Sequence, residues 1–448
     1  MKKFFETISN IWKIEELRGR IIVTLGLLLV YRFGAQIVLP GIDATELGGL
    51  SDSTGADQGI LGILNAFTGG AFSNASIFAL GIMPYISASI VVQLMGIAIP
   101  YLQKLQKEGE SGRKTINQIT RWLTIGICIV QAPAYLYSLQ ALGVPAKAFL
   151  NGTGLNFIVP SVIILVTGCV FAMWLGEKIT DKGIGNGISL LIMIGIIATL
   201  PVSFIQEIAF RNEGNGGPMA ILIEVIIWFV VILASVLLVM ATRQIPVQYA
   251  RRTASGGYEK NVMGSRQYIP LKLNASGVMP IIFAQAIMFA PGLIGKTFKE
   301  TAWGAWMEVN FQDIFGLWYN ILFGLLIIIF TYFYTAITVP TNKMADDLKR
   351  SGGFIPGIRP GKETGDYLDK IMSLITLPGS IFLALLAVLP AVVVKLGDVQ
   401  AGWALFYGGT SLLIMVGVAI DTMQQVNSYL LNRHYDGLMK TGKNRKVA

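Results

Sequence analysis

Long apolar runs alternate along this chain with short polar interruptions, most of them basic. A helix needs ~20 predominantly apolar residues to cross a bilayer core. Reading between charges gives ten candidates: 19–39, 76–100, 119–140, 155–176, 184–206, 218–242, 273–294, 317–340, 371–395 and 403–425. The first is not read as a cleaved signal peptide. An amphipathic stretch precedes it, and Leu39-Pro40-Gly41 offers no small-residue cleavage pattern. The expected fold is an all-α polytopic membrane protein with ten transmembrane helices, divided into halves of five at 19–206 and 207–425. An odd number of spans per half makes the second half enter from the opposite side, so halves of one fold would form an inverted repeat around a mid-membrane site.

The pattern breaks between Gln58 and Gln103, 46 residues with no Asp, Glu, Lys or Arg. One span does not use up this length, and two would barely fit. Its middle, Phe67-Thr68-Gly69-Gly70-Ala71-Phe72-Ser73-Asn74, is glycine-rich and polar, which breaks a helix. The expectation is a half-helix over about 60–68 and a full span from Ser76. Irregular backbone at membrane depth is tolerated only where protein or a water-filled cavity surrounds it. A cavity holding a short helix is therefore expected; a surface loop that merely lacks charge is the alternative.

Composition narrows the function. The chain has 448 residues, 53% hydrophobic and 14% charged, against about 25% charged in soluble domains. That excludes water-soluble enzymes, disulfide scaffolds and disordered regulators. Cys128 and Cys169 lie in apolar runs and read as small core residues, and a single histidine, His434, supplies no metal ligand set. No serine–histidine–carboxylate set is available, so no enzyme is expected. Ala290-Pro291-Gly292-Leu293-Ile294-Gly295-Lys296-Thr297 approaches a phosphate loop, but Ala replaces its first Gly and an apolar helix precedes it, so chance explains it.

The net charge is +9, and 29 Lys and Arg fall on one side of the spans against five on the other. This bias puts both termini and the long basic loops in the cytoplasm; the inner (cytoplasmic) membrane is the simpler expectation, a thylakoid membrane the alternative. Within spans, Arg32 and Glu224 sit towards the outer ends and Asp421 towards the inner end. Ion-coupled carriers string such groups across the midplane, so their scarcity counts against the alternative, a secondary transporter of small solutes with inverted repeats.

Residues 243–272 carry Arg243, Arg251, Arg252, Lys260, Arg266 and Lys272 among Tyr249, Tyr258 and Tyr268, and residues 341–370 carry six more bases, including Arg359. Loops of this length are usually functional, and basic loops with tyrosines suit docking of a large cytosolic partner bearing RNA or acidic surfaces. Simple topology retention is the other reading. Residues 1–18, with Phe4, Phe5, Ile8, Ile11 and Trp12, read as an amphipathic helix at the inner interface, and 426–448 as a basic tail. Ile82 and Ile86 share one helical face around Pro84. Ser87, Ser89, Gln93, Gln131 and Gln285 give spans two, three and seven polar flanks, for interhelical hydrogen bonds or a gate.

Phe78-Ala79-Leu80-Gly81-Ile82-Met83-Pro84-Tyr85-Ile86-Ser87-Ala88-Ser89-Ile90 resembles the second span of the SecY family, the channel subunit of the general protein translocon. Gly183-Ile184-Gly185-Asn186-Gly187-Ile188-Ser189, the Pro356–Gly361 loop and Gly408-Gly409-Thr410-Ser411-Leu412-Leu413-Ile414 extend the resemblance over nearly the whole chain. It implies a protein-conducting channel that moves unfolded secretory polypeptides and releases hydrophobic segments sideways into lipid. Two five-helix halves would clamp a central hourglass pore. A plug half-helix would occupy 60–74, with Leu64, Asn65, Phe67, Gly69 and Gly70, and a ring of Ile82, Ile86, Ile192, Ile282 and Ile414 would line the constriction. Ser87, Gln93, Gln131, Gln285 and Ala290 would line a lateral gate between spans two, three, seven and eight, although some relatives carry a bulkier residue at Ala290. Arg251, Arg252 and Arg359, with Arg266 on the same basic loops, would meet the ribosome or the SecA motor. SecE and SecG are the implied small membrane subunits, signal sequences the implied ligand, and no cofactor is implied. An isoleucine ring closes around an extended chain without binding any side chain, and apolar constrictions exclude ions by dewetting. A segment of Leu, Ile, Phe and Val then sorts itself into lipid at about −0.3 to −0.6 kcal/mol per residue.

Overall fold

The computed structural model describes residues 12, 14–43, 65, 67–141, 149, 154–213, 217–249, 266–298 and 301–443. The amphipathic reading of the N-terminus, Leu64, Arg251 and Arg252 lie outside or largely outside them. Its helices are α1 (Glu15–Gly34), α2 (Met83–Ala98), α3 (Pro100–Lys107), α4 (Glu110–Ala141), α5 (Leu155–Lys182), α6 (Gly187–Asn212) and α7 (Gly217–Met240). After strands β1 (Thr242–Tyr249) and β2 (Arg266–Lys272) follow α8 (Met279–Thr297), α9 (Ala302–Gln312), α10 (Leu317–Thr338) and α11 (Thr341–Arg350). Strand β3 (Gly353–Phe354), α12 (Lys362–Gly397), the single turn α13 (Ala401–Ala404) and α14 (Gly409–Lys443) complete the order.

Each of the ten apolar runs coincides with a helix: α1, α2, α4 to α8, α10, α12 and α14. Seven helical stretches among the described residues are long and apolar enough to span a membrane alone, and the bent pair α2–α3 makes an eighth. At about 1.5 Å per residue, the 20 residues of α1 and the 19 of α8 also approach the thickness of a hydrocarbon core. The pair bends by 102° because Ile99 is extended before Pro100, the conformation that a following proline imposes.

Helix boundaries depart from the apolar runs where charge or glycine intervenes. Span two begins at Met83, not Ser76: Gly69, Gly70, Ala75 and Gly81 have positive φ, so the chain turns repeatedly before Pro84 opens the helix. Span nine begins at Lys362, nine residues before its apolar run, and span ten continues to Lys443, so most of the basic tail is helical. The 243–272 stretch is not a plain loop. Its ends pair as an antiparallel hairpin from Thr242↔Lys272 to Gln248↔Arg266, with β3 beside β1 only at Gln248 and Tyr249. Pro246 is tolerated because β1 lacks a β3 partner at that position.

By compactness the described chain forms two units. One comprises Met1–Pro218, Val399–Phe406 and Val418–Ala448; the other comprises Met219–Asp398 and Tyr407–Gly417. In the first, α2 packs on α4, α4 on α5, α5 on α6, and α1 on both α5 and α6. Gly187 allows α5 and α6 to approach closely, since a Cβ there would meet the carbonyl oxygen of Gly176. Asn186 caps α6 through its Oδ1, which accepts the N–H groups of Ile188 and Ser189 at 3.2 and 3.4 Å. In the second unit, α8, α10 and α12 pack in sequence. Ile245, Val247 and Leu271 of the hairpin join Leu348, Ile355, Leu368 and Met372 in a small core under the sheet.

Candidate functional site

Residues 65–82 include an irregular, glycine-rich segment of the first unit. Asn65 starts it: its Oδ1 accepts the Ser73 N–H at 3.1 Å, and its carbonyl accepts the Gly70 N–H at 3.0 Å. Thr68 Oγ1 accepts the Phe72 N–H and donates to the Asn65 carbonyl, both at 3.2 Å. Local side chains thus replace the hydrogen bonds of an interrupted helix, the requirement for irregular backbone at membrane depth.

Three helices hold this segment in place. From the last turn of α1, Arg32 Nη1 donates to the Gly69 carbonyl at 2.9 Å. From α4, the Tyr135 hydroxyl donates to the Phe72 carbonyl at 2.8 Å, and the two rings meet edge-on at 4.8 Å. From α6, Gly195 lies directly under Gly69: a Cβ on Gly69 would stand 2.8 Å from Gly195 Cα, and one on Gly195 would stand 2.6 Å from the Phe67 carbonyl oxygen. Gly69 adopts φ +66°, a left-handed conformation that glycine takes without steric cost. Downstream, the Leu39 N–H bonds the Ala75 carbonyl at 2.9 Å and the Ile77 N–H bonds the Ile37 carbonyl at 3.0 Å, stitching the segment to the chain beyond α1.

Of the expected ring residues, Ile82, Ile86 and Ile192 belong to the first unit and Ile282 and Ile414 to the second. Ile82, Ile192 and Ile414 are buried and Ile86 and Ile282 half-buried. Ile82 precedes the first residue of α2, and its carbonyl accepts the Ile86 N–H at 3.0 Å, so the two sit one helical turn apart. Among the lateral-gate candidates, Gln285 is buried and Ser87 half-buried, while Gln93 Nε2 donates to Ser89 Oγ at 3.2 Å on its own helix. Gln131 is exposed. Ala290 falls within α8, though its side chain lies outside the described set. Arg266 opens β2, with its side chain likewise undescribed. Arg359 is exposed, 3.8 Å from Glu363.

Two polar arrangements escaped the sequence. Arg211 Nε donates to Glu207 Oε1 at 3.0 Å, with the side chains 6% and 1% exposed, and Glu207 Oε2 accepts the Gln400 N–H at 3.0 Å. This carboxylate ties the C-terminal end of α6 to the segment carrying α13. Their i,i+4 spacing was a usable signal; the Gln400 contact was not. Arg121 makes a two-pronged pair with Glu177, Nε to Oε1 at 2.9 Å and Nη2 to Oε2 at 2.6 Å, across 56 residues that no local pattern connects. The phosphate-loop look-alike is continuous helix, without the loop that phosphate binding needs.

The fold and this segment define a multi-pass helical membrane protein with a glycine-rich irregular segment seated inside a helix bundle. The sequence model of the SecY family matches residues 76–423. The protein translocase subunit SecY of Streptomyces scabiei is 38% identical over 442 residues, 96% of this chain and 99% of its own. That of Chlamydia trachomatis is 37% identical over 452 residues, 97% of this chain and 98% of its own. A solved structure of a SecY protein, whose plug domain is described as stabilising the closed state of the translocation channel and maintaining a membrane seal, matches with a TM-score of 0.59. It shares 18% identity and covers 92% of each chain. The chain belongs to the SecY family of protein translocase subunits, and it is a channel rather than an enzyme.

Proposed function

We propose that this chain conducts unfolded secretory polypeptides through a pore lined at its narrowest by Ile82, Ile86, Ile192, Ile282 and Ile414. The 60–74 segment is its plug, and Ser87, Gln93, Gln131, Gln285 and Ala290 flank the lateral exit. The halves run over 19–206 and 207–425, both termini face the cytoplasm, and the membrane is the inner (cytoplasmic) one. Arg251, Arg252, Arg266 and Arg359 lie on the surfaces that receive SecA or a ribosome, and SecE and SecG type subunits complete the complex. The observation that carries this reading is the seat of Gly69 on Gly195 under Arg32. A neutral backbone turn held by a few hydrogen bonds against a glycine suits a displaceable stopper, which must fill a passage without binding it too strongly. None of the five isoleucines is exposed, which also supports the reading.

Depleting the protein from cells tests the function. Unprocessed secretory precursors should accumulate in the cytosol. Normal export accompanied by loss of one nutrient's uptake would contradict it and favour a solute carrier.

A further inference from the structure

Between α8 and α10 lies a helix that the conduit does not use. The 11 residues of α9 pack back against α8 and also touch α10. One side of α9 is anchored by Gly304 and Phe311, both buried, with Met307 half-buried between them. The opposite side carries Ala302, Trp303, Ala305, Trp306 and Val309, all exposed. Among the described side chains on that side, Asn310 is the one polar residue. It is half-buried and spends its amide on the Trp306 carbonyl at 2.8 Å. A connecting helix that stood in water would carry polar groups on its outward face.

The exposed face of α9 is continuous with an exposed apolar face of α10. Trp306 meets Trp318 edge-on at 5.9 Å. Trp318 lies in the first turn of α10, where Leu317, Ile321, Leu325 and Ile329 form an exposed four-residue-spaced stripe down the span. Trp303 meets Phe298 at 5.1 Å, just past the end of α8. Three of the six exposed tryptophans among the described residues therefore cluster where two spans emerge, at the end of unit two away from its hairpin. Tryptophan concentrates at the membrane–water boundary, where its ring is apolar and its N–H is wet.

We propose that α9 lies in the plane of the membrane interface, with Trp303, Trp306 and Val309 immersed at the headgroup–acyl boundary of the leaflet opposite the basic loops. The bilayer thereby becomes its binding partner and fixes the height of the ends of α8 and α10. Naming that leaflet rests on the proposed orientation; the immersion does not.

The test is tryptophan quenching in the full chain, reconstituted into phosphatidylcholine–phosphatidylglycerol vesicles brominated either near the glycerol or near the chain terminus. The comparison is with Trp303→Phe, Trp306→Phe and the double variant. Removing two of six exposed tryptophans should abolish about a third of the quenching by shallowly brominated lipid. It should leave quenching by deeply brominated lipid and by aqueous iodide nearly unchanged, with each single variant losing about half as much. If the component lost in the variants is quenched by iodide instead, α9 faces water and the proposal fails. If neither quencher reaches it, another protein or a second copy covers the face, and the proposal fails equally. The readout needs no translocation, so it stands apart from the conduit reading.

Discussion

Substituting Gly195 by alanine isolates the seat of the proposed plug. The added Cβ would stand 2.6 Å from the Phe67 carbonyl oxygen, 3.2 Å from the Gly69 nitrogen and 3.4 Å from the Phe67 carbonyl carbon. All three neighbours are backbone, so no side chain can swing away, and the segment must lift by about 0.8 Å to bring the Phe67 oxygen into ordinary contact. Overpacking of this kind costs about 1–3 kcal/mol. At ~1.4 kcal/mol per tenfold, the seated state should lose about five- to 150-fold in population relative to the lifted one. The assay is ion conductance of the reconstituted channel in a planar bilayer without substrate. Gly126→Ala serves as control, because nothing lies within 4 Å of its added methyl. Gly195→Ala should raise resting conductance while Gly126→Ala leaves it unchanged. A folded Gly195→Ala protein with wild-type conductance would refute the assignment of this segment as the seal.

Other substitutions probe what holds the first unit together. Glu207→Ala leaves the buried Arg211 guanidinium without its carboxylate and should cost about 3 kcal/mol in thermal denaturation. The Glu207→Ala, Arg211→Ala double variant should cost less than the sum of the singles; strict additivity would mean the pair does not act as one. Tyr135→Phe removes the donor to the Phe72 carbonyl but keeps the ring contact, so about 1–2 kcal/mol of stability should be lost, with no loss contradicting the assignment. Asn186→Ala removes the cap of α6 and should cost about 1 kcal/mol, whereas Asn186→Ser should recover most of it in the same melting assay.

Helix positions were legible because burial in lipid demands long apolar runs, and all ten runs are helical. The break at Phe67–Asn74 was legible from its glycines, but the late start of span two was not. Leu80 and Ile82 are as apolar as any helical residue, and only the positive φ at Ala75 and Gly81 defers the helix to Met83. The hairpin hid inside a basic stretch because Pro246 separates Ile245 from Val247 and Pro270 separates Ile269 from Leu271, and a proline within a run argues against a strand. Chemistry that joins distant positions had no local trace. Arg121 finds Glu177, Arg32 finds Gly69 and Glu207 finds Gln400 only once the helices have packed. Gly195 was one glycine among 50 until a second backbone lay against it.

The most direct measurement places a photoreactive side chain in turn at Ile82, Ile192, Ile282 and Ile414, with Leu222, exposed on α7, as the contrast. A secretory precursor is then stalled midway through the membrane. The account predicts adducts to the precursor from all four isoleucine positions and to lipid alone from Leu222. Adducts to lipid from the isoleucines, with none to the stalled chain, would contradict it.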